Sequence, residues 1–403
     1  MMDILNIEFR KLLKLKTLII IILLIIIFSV LCYRSESIYE GVLNSSKREI
    51  ALKIEETILK VNKLESNSKE LKEKGDKEEY ELTTINLEKE KKALNALVEK
   101  QQALEDKNKM LDAELKLLKE KLKEDETQNG IMLSENTLGK AMDIKSLYQK
   151  EFEKLSYYKE KNIVPEQSKL TASGVLNLFS EEVAPLFMSI IIILLVSDIL
   201  SIENSEGTLR VYLSQPLKKT KVFWSKYAAA VVSAILIVGG IQLIFFLILG
   251  IKNGFDSLSM PSAYGANYQI KNGITAYIEN SQRFISSSNM VIYYILFQIL
   301  YIIAIVSLGM VCTVIFNRAA ISLTAGSALI LFFNFAFIET KIRTPIQPYT
   351  FICYGDLWNV LSGNAKQINP GITIDRGIAV LIITSIICTA ASYYIFRKKE
   401  IYT

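Results

Sequence analysis

Two stretches without a single charged residue, 17–33 and 227–250, constrain this 403-residue chain more than any other feature. A helix rises about 1.5 Å per residue, so about 20 apolar residues cross the roughly 30 Å of hydrocarbon in a bilayer. Four more stretches are comparably apolar, at 183–203, 290–316, 319–338 and 377–396. The pattern predicts six transmembrane helices and excludes a single soluble globular fold.

Charged residues are concentrated in one segment, 34–182, which holds 27 of the 47 basic and 31 of the 42 acidic residues. Leucines recur at heptad spacing from Leu87 onward, the pattern of a coiled coil. We predict a helical hairpin with one arm ending near Glu73 and the other running from about Glu78 to Asp125, and then a third helix near 137–161. This segment is either a docking arm for a partner, a substrate or the cell wall, or a solvated spacer.

The positions of Lys and Arg predict the orientation. With the N-terminus inside, the inner segments hold 13 basic residues in 48 positions, whereas the two short outer loops hold 7 in 77. Cytoplasmic loops carry the basic excess, and long domains cross the membrane largely regardless of their charge. We therefore expect both termini in the cytoplasm and the segment 34–182 outside. The many Ile, Lys and Asn residues suggest a bacterial source, hence a bacterial cell membrane.

The predicted fold class is an all-α, polytopic membrane protein with an N-terminal interfacial helix and an extracytoplasmic coiled-coil hairpin. The predicted organisation is interfacial helix 1–16, span one 17–33, outer helical domain 34–182, span two 183–203, cytoplasmic coupling loop 204–226, span three 227–250, outer loop 251–289, span four 290–316, span five 319–338, outer loop 339–376, span six 377–396 and cytoplasmic tail 397–403.

Several chemistries are excluded by residue usage. The chain has no His, the commonest general base and metal ligand. Its four Cys show no paired spacing, although a bridge between Cys32 and Cys353 stays open as an alternative. No stretch matches the phosphate-binding pattern Gly-x4-Gly-Lys-Ser/Thr. We expect no catalytic residue, no metal site and no bound cofactor, so the chain is no enzyme by itself and any pumping needs energy from another subunit.

Ionisable residues within the predicted spans are scarce. Only Asp198 and Glu203 occur there, near the inner end of span two, and intramembrane charges usually mark function. The main polar interruptions elsewhere are Gln242, Gln298 and Asn334. Each of these three is either a polar residue of a transport pathway or a residue that hydrogen-bonds between helices.

The N-terminal residues 2–16 predict a helix that lies in the membrane interface. Phe9 and Leu12 can enter the lipid boundary while Arg10, Lys11 and Lys14 remain at the headgroups. The alternative is a plain basic flank of the first span.

The loop between spans two and three has the features of a contact for an energy-supplying partner. Gly207 permits a sharp turn, Thr208 can cap a short helix, and Glu206 lies where negative charge favours a helix N-terminus. Pro216 ends that helix, so the basic residues after it can meet the headgroups before the next span. The alternative is an ordinary basic connector. The residues expected to couple to the partner are Glu203, Glu206, Gly207, Thr208, Leu209, Arg210, Pro216, Lys218 and Lys219.

At these residues the chain resembles the permease subunits of the ABC type-2 exporter superfamily. Members carry an acidic residue, Gly-Thr, a short apolar-basic helix, Ser-x-Pro and a basic run into span three. The corresponding residues here are Glu206, Gly207, Thr208, Leu209, Arg210, Ser214, Pro216 and Lys218 to Lys226. The resemblance covers about 250 residues and does not cover 34–182.

The resemblance implies partners and a cargo. The partners are ATPase subunits that hold ATP and Mg, and a second permease copy or a homologue. The cargo is an amphipathic molecule such as an antimicrobial peptide, a lipid-like compound or a drug. The other function class is a transmission protein whose spans relay ATPase motion to the outer coiled coil, which acts on a wall enzyme or a sensor.

Overall fold

The structure is a computed structural model that is mostly helical (82%), which confirms the all-α fold class. It describes residues 15–74, 77–105, 111–112, 114–116, 118–119, 122, 133–135, 141–163, 170–205, 219–255, 258–271, 273–316, 318–339 and 343–398. These residues form two compact units. The span unit comprises the described residues of Met1–Tyr33, Ile131–Ser146 and Leu170–Thr403, and the arm unit those of Arg34–Gly130 and Leu147–Lys169.

The described residues form α-helices and six short strands. The helices are α1 Leu15–Lys74, α2 Lys77–Glu105, α3 Ile144–Glu160, α4 Ala172–Glu182, α5 Ser189–Ser205, α6 Lys219–Asn253, α7 Ser287–Ile315, α8 Ala319–Asn334, α9 Leu357–Ser362 and α10 Ile374–Lys398. The strands are β1 Leu133–Glu135, β2 Ala141–Asp143, β3 Pro261–Tyr264, β4 Tyr268–Lys271, β5 Ile274–Tyr277 and β6 Arg283–Ser286. A π-helical turn, Phe335–Glu339, continues α8.

Five helical stretches of the described residues are long and apolar enough to cross a membrane. They are Thr17–Ile38, Lys219–Asn253, Ser287–Ile315, Ala319–Glu339 and Ile374–Lys398. A sixth span arises if α4 and the helical residues after it, which meet at a 66° bend, count as one broken span. A helix satisfies its own backbone hydrogen bonds, which hydrocarbon requires of any spanning segment.

The bend in span two is stabilised by polar groups. Pro185 supplies no N–H, and the chain forms a π-helical turn, Ala184–Met188, in which the Met188 N–H bonds the Val183 carbonyl at 2.9 Å. The Ser189 hydroxyl donates to the Pro185 carbonyl at 3.0 Å and lies 2.9 Å from the Tyr301 hydroxyl of α7. Side chains thus replace the backbone bonds that the bend removes.

The helix α4 corrects the predicted boundary at residue 182. Thr171 caps it by accepting from the Gly174 N–H at 3.0 Å, and its buried face includes Val175, Leu176 and Phe179. Phe179 contacts Phe28 at a centroid distance of 5.1 Å, so α4 packs within the span unit and not with the charged segment. At 11 residues the helix is too short to give a spanning signal by itself.

Close packing at glycines sets the position of α5. A Cβ atom at Gly326 of α8 would lie 2.6 Å from Ile193 Cγ2, and one at Gly309 of α7 would lie 3.1 Å from Ile193 Cδ1. Small residues let transmembrane helices approach this closely, where dispersion contacts stabilise them. The helix α5 therefore packs against both α7 and α8.

The two predicted outer loops fold into a cap on the span unit. One sheet has the strand order β1-β2-β5-β4, in which β2 pairs parallel with β5 at Met142 and Thr275, and a second sheet pairs β3 with β6. The Arg343 Nε donates to the Ile368 carbonyl at 3.2 Å, and the Lys366 Nζ donates to Asn267 Oδ1 at 2.6 Å. These contacts join the segments that follow spans one, three and five.

The cap also indicates how span two runs. The Asn253 side-chain amide, at the end of α6, donates to the Leu170 carbonyl at 2.8 Å, just before α4. The start of α4 and the end of α6 therefore lie on one face of the span unit. Counted as one broken span, α4 and the helical residues after it therefore run in the direction opposite to α6.

The arm unit contains the helices predicted from the heptads. An ion pair of 2.6 Å between Lys91 and Glu65 joins α2 to the arm part of α1, as in an antiparallel hairpin. Leu111 and Leu115 are buried with Leu155 and Tyr158 of α3. The third helix was predicted from about residue 137, but residues 141–143 form β2 and α3 begins at Ile144. The coiled-coil packing stays a prediction.

None of the four cysteines, Cys32 and Cys353 included, forms a disulfide bond. The Cys353 Sγ lies 3.1 Å from the Thr350 hydroxyl. The alternative of a bridge between Cys32 and Cys353 is therefore not adopted.

We predict that Gly363→Ala destabilises the cap. Gly363 ends α9 with φ of 85°, and a methyl group there would overlap the backbone of Ala266. The matched control is Gly273→Ala, where φ is 79° but no atom lies within 4 Å of the added methyl. In detergent, the control should lose stability equivalent to about 1 kcal/mol, and Gly363→Ala clearly more, as a larger fall in Tm. Equal losses would show that the overlap has no effect.

Candidate functional site

The segment predicted to couple the spans to a partner lies between two described helices. Glu203 belongs to α5, which ends at Ser205, and Lys219 begins α6. The other predicted coupling residues, Glu206, Gly207, Thr208, Leu209, Arg210, Pro216 and Lys218, lie outside the described residues. So do the interfacial-helix residues Phe9, Arg10, Lys11, Leu12 and Lys14.

The start of α6 corrects the predicted end of the coupling loop. Residues 219–226 are helical and belong to span three, whereas they were predicted to belong to the cytoplasmic coupling loop. Val222, Phe223 and Lys226 are fully buried, so Lys226 packs against the neighbouring helices; its predicted place at the headgroups stays a prediction. Helical periodicity turns this residue toward the neighbouring helices, four positions after Val222.

An aromatic cluster ties the first turns of α6 to the last turns of α10. The Phe223 ring lies 5.4 Å from that of Tyr393 and 5.7 Å from that of Phe396, centroid to centroid. The Thr220 and Tyr393 hydroxyls lie 3.0 Å apart. Tilted and edge-on ring pairs of this kind add stabilisation beyond their buried area.

Three hydroxyl groups extend this contact one turn deeper. The Tyr227 hydroxyl of α6 lies 2.8 Å from the Ser307 hydroxyl of α7, and the Thr389 hydroxyl of α10 donates to Ser307 Oγ at 3.1 Å and to Tyr227 at 3.3 Å. We call the contacts of Phe223 and Tyr227 with α7 and α10 the α6 anchor. Because the α6 anchor is both packed and hydrogen-bonded, it can carry a displacement of the start of α6 to α7 and α10.

The α6 anchor was not predicted from the sequence. Hydroxyl-bearing residues within apolar stretches are a signal for hydrogen bonds between helices. This signal is present at Tyr227, Ser307 and Thr389, but the three residues belong to three different spans. Which spans adjoin one another depends on tertiary packing, and no local pattern of the chain specifies it.

Two of the three predicted pathway residues bond between helices. The Gln242 side-chain amide of α6 donates to the Tyr294 hydroxyl of α7 at 3.1 Å. The Gln298 amide of α7 donates to the Met188 Sδ of the span-two bend at 3.8 Å. For both residues this geometry matches the alternative that they hydrogen-bond between helices. Asn334, the last residue of α8, is buried as well.

A second polar cluster joins span two to the cap. The Ser180 hydroxyl of α4 donates to Asp356 Oδ1 at 3.0 Å and accepts from the Trp358 N–H at 2.8 Å. The Asn359 amide donates to Asp356 Oδ2 at 2.7 Å. Burial raises the pKa of the Asp356 carboxyl above its ordinary value, while the hydrogen bonds from Asn359 and Ser180 oppose that rise.

The Asp356 cluster was also absent from the sequence prediction. Asp356 caps α9, and Gly363 ends it with a left-handed conformation. An Asp before a short apolar run that is followed by Gly is a recognisable helix signal. Its contact with Ser180, 176 residues earlier, is not encoded locally. No group of three or more His, Cys, Asp or Glu residues suited to a metal ion occurs in the described ranges.

A family model described as an ABC-2 family transporter protein matches residues 2–401 of this chain. The match runs through 34–182, which the resemblance of the coupling loop does not cover. The comparison with curated proteins gives no match.

We predict that the three hydroxyls of the α6 anchor are energetically coupled. Tyr227→Phe and Thr389→Val should each cost about 0.6 to 1.7 kcal/mol, the range for hydrogen bonds between transmembrane helices, and the double variant should cost less than their sum. Tyr394→Phe is the matched control, because Tyr394 is exposed and lies five residues after Thr389 on the same helix. Thermal unfolding in detergent measures the three losses. Strictly additive losses would mean that Tyr227 and Thr389 do not interact.

Proposed function

The chain belongs to the ABC-2 family of transporter proteins, and from this premise we propose that it is the membrane-spanning permease subunit of an ATP-binding-cassette exporter. Its family implies pairing with an ATP-binding subunit, and its helices are those of a multi-pass membrane protein. The observation that carries the coupling part of this proposal is the α6 anchor, which lies directly after the segment 206–218.

We assign the energy source to the partner. The partner binds ATP and Mg, since the sequence of this chain has no phosphate-binding motif. The segment 206–218 and the interfacial helix contact the partner on the cytoplasmic side of a bacterial cell membrane, where the basic bias places both termini.

The helices on either side of the coupling segment respond to the partner together. When ATP closes the partner, the segment 206–218 moves with it and displaces the end of α5 and the start of α6. The α6 anchor passes the displacement to α7 and α10 through Phe223, Tyr227, Ser307 and Thr389. Glycine contacts link α5 to α7 and α8, so five spans move in response to one loop.

The proposed cargo is amphipathic, such as an antimicrobial peptide, a lipid-like compound or a drug, and it moves outward. The described helices α7 and α8 contain no charged residue, which suits an apolar pathway. The pathway forms between this chain and a second permease, either another copy or a homologue. Because Gln242 and Gln298 pair with neighbouring helices, their primary role is to hold those helices together.

We predict that charge changes in the coupling segment uncouple ATP hydrolysis from the spans. Glu206→Ala or Arg210→Glu should lower substrate-stimulated ATP hydrolysis of the purified complex several-fold, because each removes a charge expected to contact the partner. Lys252→Gln, at the other end of α6, is the matched control and should leave the stimulated rate unchanged. Normal membrane insertion of all three variants is checked by their yield. Unchanged stimulation in Glu206→Ala and Arg210→Glu would contradict the coupling role.

A second function is favoured by one observation. The helix α1, Leu15–Lys74, contains both the first candidate span and the first arm without a break. The first arm is thus covalently continuous with a candidate span. The alternative is therefore a transmission protein that moves no cargo and uses ATPase motion to act on a wall enzyme or a sensor through its arms.

Removal of the arms distinguishes the two functions. Residues 45–130 are replaced by a short Gly-Ser linker, which keeps β1 and β2 in the cap sheet. Leu155→Ser and Tyr158→Ser keep the newly exposed face of α3 polar. We expect the shortened complex to retain cargo export in vesicles and ATPase stimulation. An intact complex that keeps ATP hydrolysis but loses an extracellular response would favour the transmission protein.

A further inference from the structure

Basic residues gather where the start of α6 meets the end of α10. Lys221 lies in the first turn of α6, and Arg397 and Lys398 are the last two residues of α10. The 3.0 Å contact between the Thr220 and Tyr393 hydroxyls brings these two helix ends together. We call Lys221, Arg397 and Lys398 the basic seam. All three side chains are exposed.

The positive charge of the basic seam is not balanced by its own helices. The helix α6 carries no acidic residue, and the only one of α10, Asp375, lies in its first turn at the opposite end. Within the ranges that the structure describes, Lys221 and Arg397 form no ion pair. Exposed cations without a carboxylate nearby create a local positive potential that attracts anions.

Aromatic residues indicate the depth of the basic seam in the membrane. Trp224 is 42% exposed and Tyr394 is 57% exposed, on the same turns as the three cations. The Lys398 Nζ lies 4.5 Å from the centroid of the Tyr394 ring. Exposed Trp and Tyr side chains collect at the level of the lipid headgroups, where their rings meet the acyl chains and their polar ends meet water.

We propose that the basic seam binds the headgroup of an anionic phospholipid. The guanidinium of Arg397 can donate two parallel hydrogen bonds to a phosphodiester, and the ammonium groups of Lys221 and Lys398 add charge-assisted bonds. The acyl chains lie against the exposed faces of Trp224 and Tyr394. A lipid fits better than an acidic protein surface, because these two rings flank the cations at the level where a span meets its lipids. This site does not depend on the proposed cargo or on the direction of transport.

Quenching of tryptophan fluorescence by brominated lipids tests the lipid preference. The chain has two tryptophans, so Trp358→Phe leaves Trp224, beside the basic seam, as the only tryptophan. The full chain is reconstituted in phosphatidylcholine vesicles that contain either brominated phosphatidylglycerol or brominated phosphatidylcholine at equal mole fraction. Stronger quenching by the brominated phosphatidylglycerol gives the relative association constant of the anionic lipid at Trp224.

The proposal expects a preference for phosphatidylglycerol that depends on the three cations. Lys221→Gln, Arg397→Gln and Lys398→Gln should each lower the relative association constant, by a factor on the order of fivefold at most, and the triple variant should bring it close to one. Lys221→Arg with Lys398→Arg should preserve the preference, because both charges remain. Lys252→Gln, at the far end of α6, should also preserve it.

Three results would overturn the proposal. Equal quenching by the two brominated lipids in the unsubstituted basic seam would mean that no anionic lipid is preferred. A preference that persists in the triple variant would assign it to other residues. A triple variant that keeps the lipid preference but fails to retain the ATP-binding subunit on purification would assign the basic seam to that protein.

Discussion

Hydrocarbon offers no water to the peptide backbone, and this constraint determines the architecture of the span unit. Wherever the chain crosses the membrane, a helix must satisfy the N–H and carbonyl groups internally. The exception is the bend at Pro185, where Ser189 and Tyr301 supply bonds that the helix lacks. The six strands of the described residues all belong to the cap, where loops from three parts of the chain bond one another.

The lack of water in the hydrocarbon also explains which contacts can couple the spans to one another. Several buried polar groups of the spans bond in pairs or triads between helices, as Gln242 does with Tyr294 and Tyr227 with Ser307. Such bonds fix which helices move together. The α6 anchor joins the start of span three to spans four and six, directly beyond the segment expected to meet the ATP-binding subunit. A force applied to that segment is thus transmitted through the α6 anchor to spans four and six.

The spans could be predicted from sequence because their signal is local, namely long uncharged stretches such as 227–250. Contacts between distant residues could not. The helix α4 was assigned to the charged segment because its 11 residues are too short for a spanning signal. Its packing on Phe28 is a tertiary contact, which no local pattern of the sequence encodes. Residues 219–226 were assigned to the coupling loop because the sequence does not reveal that α6 begins at Lys219. The pairing of Asp356 with Ser180 joins positions 176 residues apart.

The central claim is that this chain is a permease driven by a separate ATP-binding subunit. Purification of the tagged chain from its native membranes in mild detergent, followed by identification of the bound subunits and measurement of ATP hydrolysis, tests that claim most directly. The account predicts that an ATP-binding subunit is recovered with the chain and that the chain stripped of this subunit hydrolyses no ATP. ATP hydrolysis by the isolated chain, or cargo transport by it without an ATP-binding subunit, would contradict the account.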